Sequence, residues 1–323
     1  MSYMLITGGA GFIGSHLVDR LVKDGFNVRI LDDFSSGSWE NIKHHNSLQV
    51  EIFNADLKNP QAAFEAVRDV SSVFHFAANP EVRVSTTNPE IHFNNNVVAT
   101  FNLLEAMRRA NVKDLVFASS SSVYGEPESI PVSEDAPVRP VSVYGASKAA
   151  CENLIYTYSY LYGIKAVILR YANVVGPRLK HGVVYDFIMK LLKQSERLEI
   201  LGDGTQTRSY IHISDAIEAT ITTWRNNTKT FNTYNVGSED WINVNETADI
   251  VVATMGLKNV KYTYKPILHG IGWLGDVKKI ALNINKLKSL GWKPKMKSRE
   301  ALSETIKNII QELKVTSNNP SSR

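Results

Sequence analysis

Nine residues near the start of the chain, Thr7-Gly8-Gly9-Ala10-Gly11-Phe12-Ile13-Gly14-Ser15, constrain the fold more than any other stretch. They follow a short apolar run, Tyr3-Met4-Leu5-Ile6, and lead into a segment whose apolar positions Phe12, Ile13, Leu17, Val18, Leu21 and Val22 recur at helical spacing. The pattern is strand, glycine turn, helix. Glycines at 8, 11 and 14 permit a tight turn, let backbone N–H groups approach a pyrophosphate and let the helix lie close on a sheet, while the helix N-terminus adds partial positive charge. The next apolar run, Phe26-Asn27-Val28-Arg29-Ile30-Leu31, ends on Asp32-Asp33, eighteen residues after Gly14. An acid about 20 residues on is where a dinucleotide-binding unit accepts ribose hydroxyls, and it repels a 2′-phosphate, so this pattern favours NAD over NADP. A pair of acids that merely opens a polar loop is the plainer alternative.

Strands and helices go on alternating. Apolar runs at 48–53, 73–78, 113–118 and 166–171 are separated by helical patterns at about 60–70, 89–110 and 142–163. This order predicts an α/β fold with a Rossmann-type, doubly wound parallel sheet, covered on both faces, whose ligands sit outside the carboxyl ends of the strands. By that rule Asp32, Asp56-Leu57, Ala77-Ala78 and Ser119-Ser120-Ser121-Ser122 share one crevice. Asn94-Asn95-Asn96 is unusual inside a helix, because Asn competes for backbone hydrogen bonds, and it suggests that one of them has a polar task.

Beyond Gly176 the alternation loosens. We expect residues 1–175 to form the NAD-binding domain and 176–314 a smaller C-terminal α/β substrate lobe, some of whose segments return to the first domain. Helices are expected at about 183–194, 214–226, 244–256 and 299–314, with a disordered polar tail over 315–323.

With 323 residues the chain can bury a large core. Its net charge of +4 is small and scattered, with no Lys/Arg run of the kind that binds nucleic acid. No apolar run approaches membrane-spanning length. The single cysteine, Cys151, excludes an internal disulfide framework, and the first strand leaves no room for a signal peptide. A cytoplasmic protein without membrane or nucleic-acid partners is expected. Cys151 reads as a small buried thiol, His75 as packed within its strand, His212 as part of a structural hydrogen-bond network, and Trp224, Trp241 and Trp292 as core. No His/Cys/Asp cluster has metal-ligand spacing, so no metal is expected.

Tyr144 and Lys148 stand one turn apart on a helix face. A Tyr can take a proton from a secondary alcohol if its pKa is lowered, and both a nearby ammonium and a positive nicotinamide ring lower it. A Ser hydroxyl can hold the same oxygen. Singly these motifs are weak, and Ser119–Ser122 taken alone reads as a plain turn; in this order they describe an alcohol-oxidation site.

The glycine turn, His75-Phe-Ala-Ala78, Ser120 before Tyr124-Gly125, Tyr144-Gly-Ala-Ser-Lys148, Arg170-Tyr-Ala-Asn173 and Arg208-Ser-Tyr-Ile-His212 together resemble the extended short-chain dehydrogenases that modify nucleotide sugars with NAD. The resemblance spans residues 3 to about 314. It implies C4 epimerisation of a UDP-hexose, with tightly held NAD, transient oxidation at C4 and hydride return to the opposite face. It makes Tyr144 the base, Lys148 the group that lowers its pKa, and Ser120 the group that orients the sugar hydroxyl. It implies a cofactor site lined by Gly8, Gly11, Phe12, Ile13, Gly14, Asp32, Asp33, Phe34, Ser36, Gly37, Asp56, Leu57, Phe76, Ala77, Ala78, Asn96, Ser119, Tyr144, Lys148, Tyr171 and Val174. Substrate contacts would come from Ser120, Ser122, Tyr144, Asn173, Arg208 and Asp276, the last near the uridine ribose, and the helices carrying Asn96 and Tyr144 would pair in a homodimer. Three positions depart from the family pattern. Ala172 replaces an aromatic, Trp273 replaces a second phosphate-binding Arg that Arg178, Lys180 or Lys278 would have to supply, and Ile280 stands at a gate to the sugar's C2 substituent, leaving room for N-acetyl sugars.

Overall fold

The computed structural model describes residues 2–317. The first half lays down strand and helix in turn: β1 (Tyr3–Thr7), α1 (Phe12–Lys23), β2 (Asn27–Asp32), β3 (Val50–Asn54), α2 (Pro60–Ala66) and β4 (Val70–His75). A helical stretch follows, made of α3 (Glu90–His92), a π-helical segment Phe93–Val98 and α4 (Ala99–Arg109), and then β5 (Asp114–Ser120), α5 (Val143–Tyr162) and β6 (Lys165–Tyr171). The second half holds β7 (Asn173–Val175), α6 (Gly182–Lys193), β8 (Arg197–Leu201), β9 (Thr207–Arg208), β10 (Tyr210–His212), α7 (Ile213–Asn226), β11 (Phe231–Val236) and β12 (Ile242–Asn243). It ends with α8 (Val244–Thr254), β13 (Lys261–Lys265), α9 (Asn285–Lys288) and α10 (Ser298–Ser317).

Seven strands form one sheet in the order β11-β6-β5-β4-β1-β2-β3, and every pairing in it is parallel. The strands are buried on both faces, which is why they read as near-continuous apolar runs. On one face Ile30, Phe74 and Leu169 pack with Leu17 and Leu21 of α1 and with α7. On the other Leu5 and Phe117 pack with Leu103 and Met107 of α4 and Ile155 of α5. A separate core of Phe187, Ile188, Leu198, Val251, Leu302 and Ile306 joins α6, α8 and α10.

Several expectations are corrected. β11 was not expected; Phe231, Thr233 and Asn235 alternate with Asn232, Tyr234 and Val236, and the polar half of that pattern hides an edge strand that returns to the large sheet. β4 starts at Val70, directly after Asp69 turns at φ 57, so Phe76-Ala77-Ala78 lies past the strand end. The polar tail expected from residue 315 shares its first residues with α10, because no Gly or Pro stands between Ser298 and Pro320 to stop the helix; its remainder, 318–323, lies outside the described residues. Trp241 is exposed on the turn before β12, while Trp292 is buried and Trp224 packs edge-on against Phe26 and Phe74. Among the described residues no helix is long and apolar enough to cross a membrane.

Candidate functional site

Strand order reverses between β1 and β4, and there the carboxyl ends of the strands open into a cleft of about 540 Å³. Gly8 has φ +70, and a Cβ on it would lie 2.7 Å from the Ala77 nitrogen. A Cβ on Gly14 would lie 2.1 Å from the Gly8 carbonyl oxygen. Only glycine lets the turn sit this close to the end of β4 and to α1. Asp32, at the end of β2, is fixed by two backbone donors, Ala10 N–H to Oδ2 (2.8 Å) and Phe34 N–H to Oδ1 (2.9 Å), and burial raises its pKa. Free turn N–H groups at a helix start, with a carboxylate at the next strand end, fit the pyrophosphate and ribose of a dinucleotide.

Deeper in the cleft the catalytic candidates come together. Ser142 caps α5, its Oγ accepting from Gly145 N–H (3.1 Å), and so presents Tyr144 in the first turn. The Tyr144 N–H donates to Ser85 Oγ (3.1 Å), and its ring packs edge-on against buried His92 at 5.5 Å. Ser120 ends β5 and its Oγ accepts from the N–H and the hydroxyl of Ser122 (3.2 and 3.0 Å). Lys148 Nζ donates to the Ala118 carbonyl (2.8 Å) and lies 6.0 Å from the centre of the Tyr144 ring. Burial pushes the Tyr144 phenol up to about 12, with the Ser120 hydroxyl acting in the other direction. Burial draws the Lys148 ammonium down to about 8. Desolvation is the largest cause of the Tyr144 shift, so the charge that makes it a base has to act within this buried site.

At the second-lobe end, Asn173, Arg208, Asp276, Trp273 and Ile280 line the same cleft. Arg208 Nη2 pairs with Asp276 Oδ1 at 2.6 Å, and Asp276 Oδ2 accepts from Gly272 N–H (3.1 Å). One oxygen of Asp276 thus holds the Arg208 guanidinium, and the other is fixed by the Gly272 backbone. Trp273, which stands where the resemblance places a second cation, has a buried Nε1 donor without a partner. Lys278 is held by Asp203 (2.7 Å) off the cleft wall; Arg178 and Lys180 lie on it, Arg178 paired with Asp19 (2.8 Å).

Most of the expected cofactor residues lie on the cleft wall, including Phe12, Ile13, Gly11, Asp33, Ser36, Gly37, Asp56, Leu57, Phe76, Ala77, Ala78, Ser119, Tyr171 and Val174, with Ser122 beside Ser120. Two do not. Asn96 is buried in the π-helical segment, where Oδ1 accepts from Asn79 N–H (3.1 Å) and Nδ2 donates to Ser147 Oγ (2.8 Å), so it braces the wall while Asn95 faces the cleft. Phe34 has φ 58, which throws its ring back onto the core. The wall also includes Glu81, Arg83 and His181, missed in the sequence although Asn79-Pro80-Glu81 directly follows a strand's carboxyl end. Cys151, His75 and His212 behave as expected: a buried thiol, a ring bonded to Thr7 and Thr100 (2.7 and 2.9 Å) and a ring bonded to Ser214 (2.8 Å). Folding also brings Asp19 to His44 and His45 across 25 residues of chain.

A doubly wound sheet with a dinucleotide cradle and a Ser–Tyr–Lys group at its switch point defines a dehydrogenase-type enzyme. The GDP-mannose 4,6 dehydratase family profile matches residues 5–305, and the chain belongs to this family of NAD-dependent epimerases and dehydratases. It is similar to the crystal structure of a UDP-galactose 4-epimerase, with 45% identity over 96% of this chain and 99% of that one and a TM-score of 0.86. It is also similar to the Thermus thermophilus UDP-glucose 4-epimerase in complex with NAD, at 35% identity over 95% and 99% of the chains and a TM-score of 0.85. The Mycolicibacterium smegmatis UDP-glucose 4-epimerase is 35% identical over 94% of this chain and 96% of its own. Relatives with other substrates and reactions match as well: a UDP-glucuronate 4-epimerase from Thermodesulfobacterium geofontis (33%, over 95% of both chains) and UDP-glucuronic acid decarboxylase 1 of Danio rerio (30%, over 98% of this chain and 74% of it).

Proposed function

We propose that the protein is a 4-epimerase of UDP-hexoses, interconverting UDP-glucose and UDP-galactose with NAD held as a lasting part of the enzyme. The observation that carries this reading is the meeting of the Ser120 and Tyr144 hydroxyls beside Lys148, at the switch point of the sheet. The glycine turn and Asp32 hold the cofactor, and residues 176–314 supply the wall for the sugar nucleotide, with 213–236 given back to the large sheet. When bound, NAD would supply a hydride acceptor and a positively charged ring. Tyr144, as phenolate, takes the proton of the C4 hydroxyl, Ser120 holds that oxygen in place, and the Lys148 ammonium stabilises the phenolate charge. Arg208, aimed by Asp276, takes the diphosphate. Dehydration is disfavoured, because the residues directly after Ser120 are Ser121 and Ser122, whose hydroxyls lack the acid that a dehydratase requires there.

The purified protein is expected to convert UDP-galactose to UDP-glucose without added cofactor, and the N-acetyl forms as well, since Ile280 leaves the C2 side open. No conversion of any UDP-hexose, even with NAD added, sinks the reading. A 6-deoxy-4-keto product moves the assignment to a dehydratase, and carbon dioxide release from UDP-glucuronate moves it to a decarboxylase.

We also propose a homodimer. Helices α4 and α5 cover one face of the sheet and leave Phe93, Phe101, Tyr160 and Leu161 exposed on that side, an apolar surface of the kind that pairs with another copy. Sedimentation at micromolar concentration is expected to give twice the chain mass; a monomer there overturns it.

A further inference from the structure

Helix α1 runs from the glycine turn, and the loop after β2 forms the opposite side of the cleft's adenosine end with Ser35, Ser36, Gly37, Ser38 and Asn41. That loop is tied back at its middle, where Ser38 N–H and Asn41 Nδ2 both donate to the Ala10 carbonyl (3.0 and 2.9 Å) and Ile42 is buried. Immediately beyond, His44 and His45 meet Asp19 of α1. The two Nε2 atoms converge on one oxygen, Asp19 Oδ1, at 2.9 and 2.8 Å.

We propose that Asp19, His44 and His45 bind a divalent cation of borderline softness, Zn²⁺ foremost, which staples the loop of the cofactor cleft to α1. Two imidazoles and one carboxylate are a ligand set that such ions accept, with water in the fourth place. The candidate ligand atoms all lie within 4.8 Å of one another. Around a tetrahedral ion with bonds of about 2.1 Å, ligand atoms stand ~3.4 Å apart, so each imidazole has to draw back from Asp19 Oδ1 by about half an ångström to admit the ion. The carboxylate is already oriented for one-oxygen binding: Arg178 Nη2 holds Asp19 Oδ2 at 2.8 Å, and Arg178 Nη1 donates to Ser15 Oγ (3.0 Å). Metal-binding carboxylates are commonly fixed from outside in this manner. His44 lies half exposed, which leaves the fourth position open to solvent. Because the loop and α1 flank the adenosine end, a cation joining them restrains the separation through which the dinucleotide leaves.

Tag-free holoenzyme, stripped with a chelator and titrated with Co²⁺, is expected to develop saturable visible bands at one ion per chain, displaced by Zn²⁺. His44→Ala, His45→Ala and Asp19→Asn should each abolish the bands at the concentration that saturates the unaltered protein, while a change at exposed His269 should not. Dialysis should release NAD several-fold more slowly with Zn²⁺ than with chelator, and His44→Ala should remove the difference. Absent bands, or bands that survive all three changes, overturn the site; binding with an unaltered rate of NAD release overturns the staple. Neither readout uses turnover, so the proposed reaction and this site fail separately.

Discussion

Tyr144→Phe is expected to lower kcat by about 10²–10⁴-fold, the usual range for removing a positioned acid or base, with NAD still bound and the fold intact. Only the hydroxyl is lost. The ring keeps its edge contact with His92, its backbone N–H keeps Ser85 Oγ, and Ser142 still caps the helix. The hydroxyl cannot be replaced from nearby, because the other groups at that point are the Ser120 and Ser122 hydroxyls and an ammonium that already donates to the Ala118 carbonyl. Burial pushes the phenol up to about 12, so the energy that makes it a base must come from charge brought to it, and a phenyl ring has nothing to ionise. Turnover of UDP-galactose, circular dichroism and released NAD per chain check this together. Turnover within threefold of the unaltered protein, with NAD retained, removes Tyr144 from the catalytic role.

What could be read from the sequence is local. The glycine turn, Asp32, the serines that end β5 and the Tyr144–Lys148 pair each lie within a few residues of a strand end or a helix start, where spacing alone decides placement. What could not be read depends on separate segments meeting. Asn96 lies behind the cleft wall and Asn95 on it because a π-helical segment shifts the face that residues 93–98 present, and a run of three asparagines does not say which one turns inward. Asp276 holds Arg208 across 68 residues, and Asp19 meets its histidines only when α1 packs beside the 42–45 turn. Pairing β11 with β6 likewise needs the tertiary fold, since half of its residues are polar. Periodicity reports one element's exposure; it does not report its partner.

The same limit hid a buried pair whose removal has a large expected effect on stability. Arg170 stands in the apolar strand β6 and Glu152 two turns along α5 from Tyr144, and they form a buried ion pair, Nη2 to Oε2 at 2.6 Å. Burial works against the Arg170 charge, but Glu152 and Tyr124 outweigh it and hold the guanidinium above its ordinary value. Nη1 also donates to the Tyr124 hydroxyl (3.0 Å) and the Glu134 carbonyl (2.9 Å), and Ser119 Oγ donates to Glu152 Oε1, so the pair joins β5, α5 and β6 directly beneath Ser120 and Lys148. Removing one partner of such a pair costs roughly 3–5 kcal/mol, because the other is left charged and buried. The two partners are not equivalent. A stranded carboxyl can take up a proton, whereas a stranded guanidinium stays charged. Glu152→Leu is therefore expected to cost more than Arg170→Met, and the double variant to recover a large part of the loss, as apolar replacements of buried pairs do. Urea unfolding of all three at neutral pH measures the order, and a Glu152→Leu protein as stable as the unaltered one shows that the pair does not bear on stability.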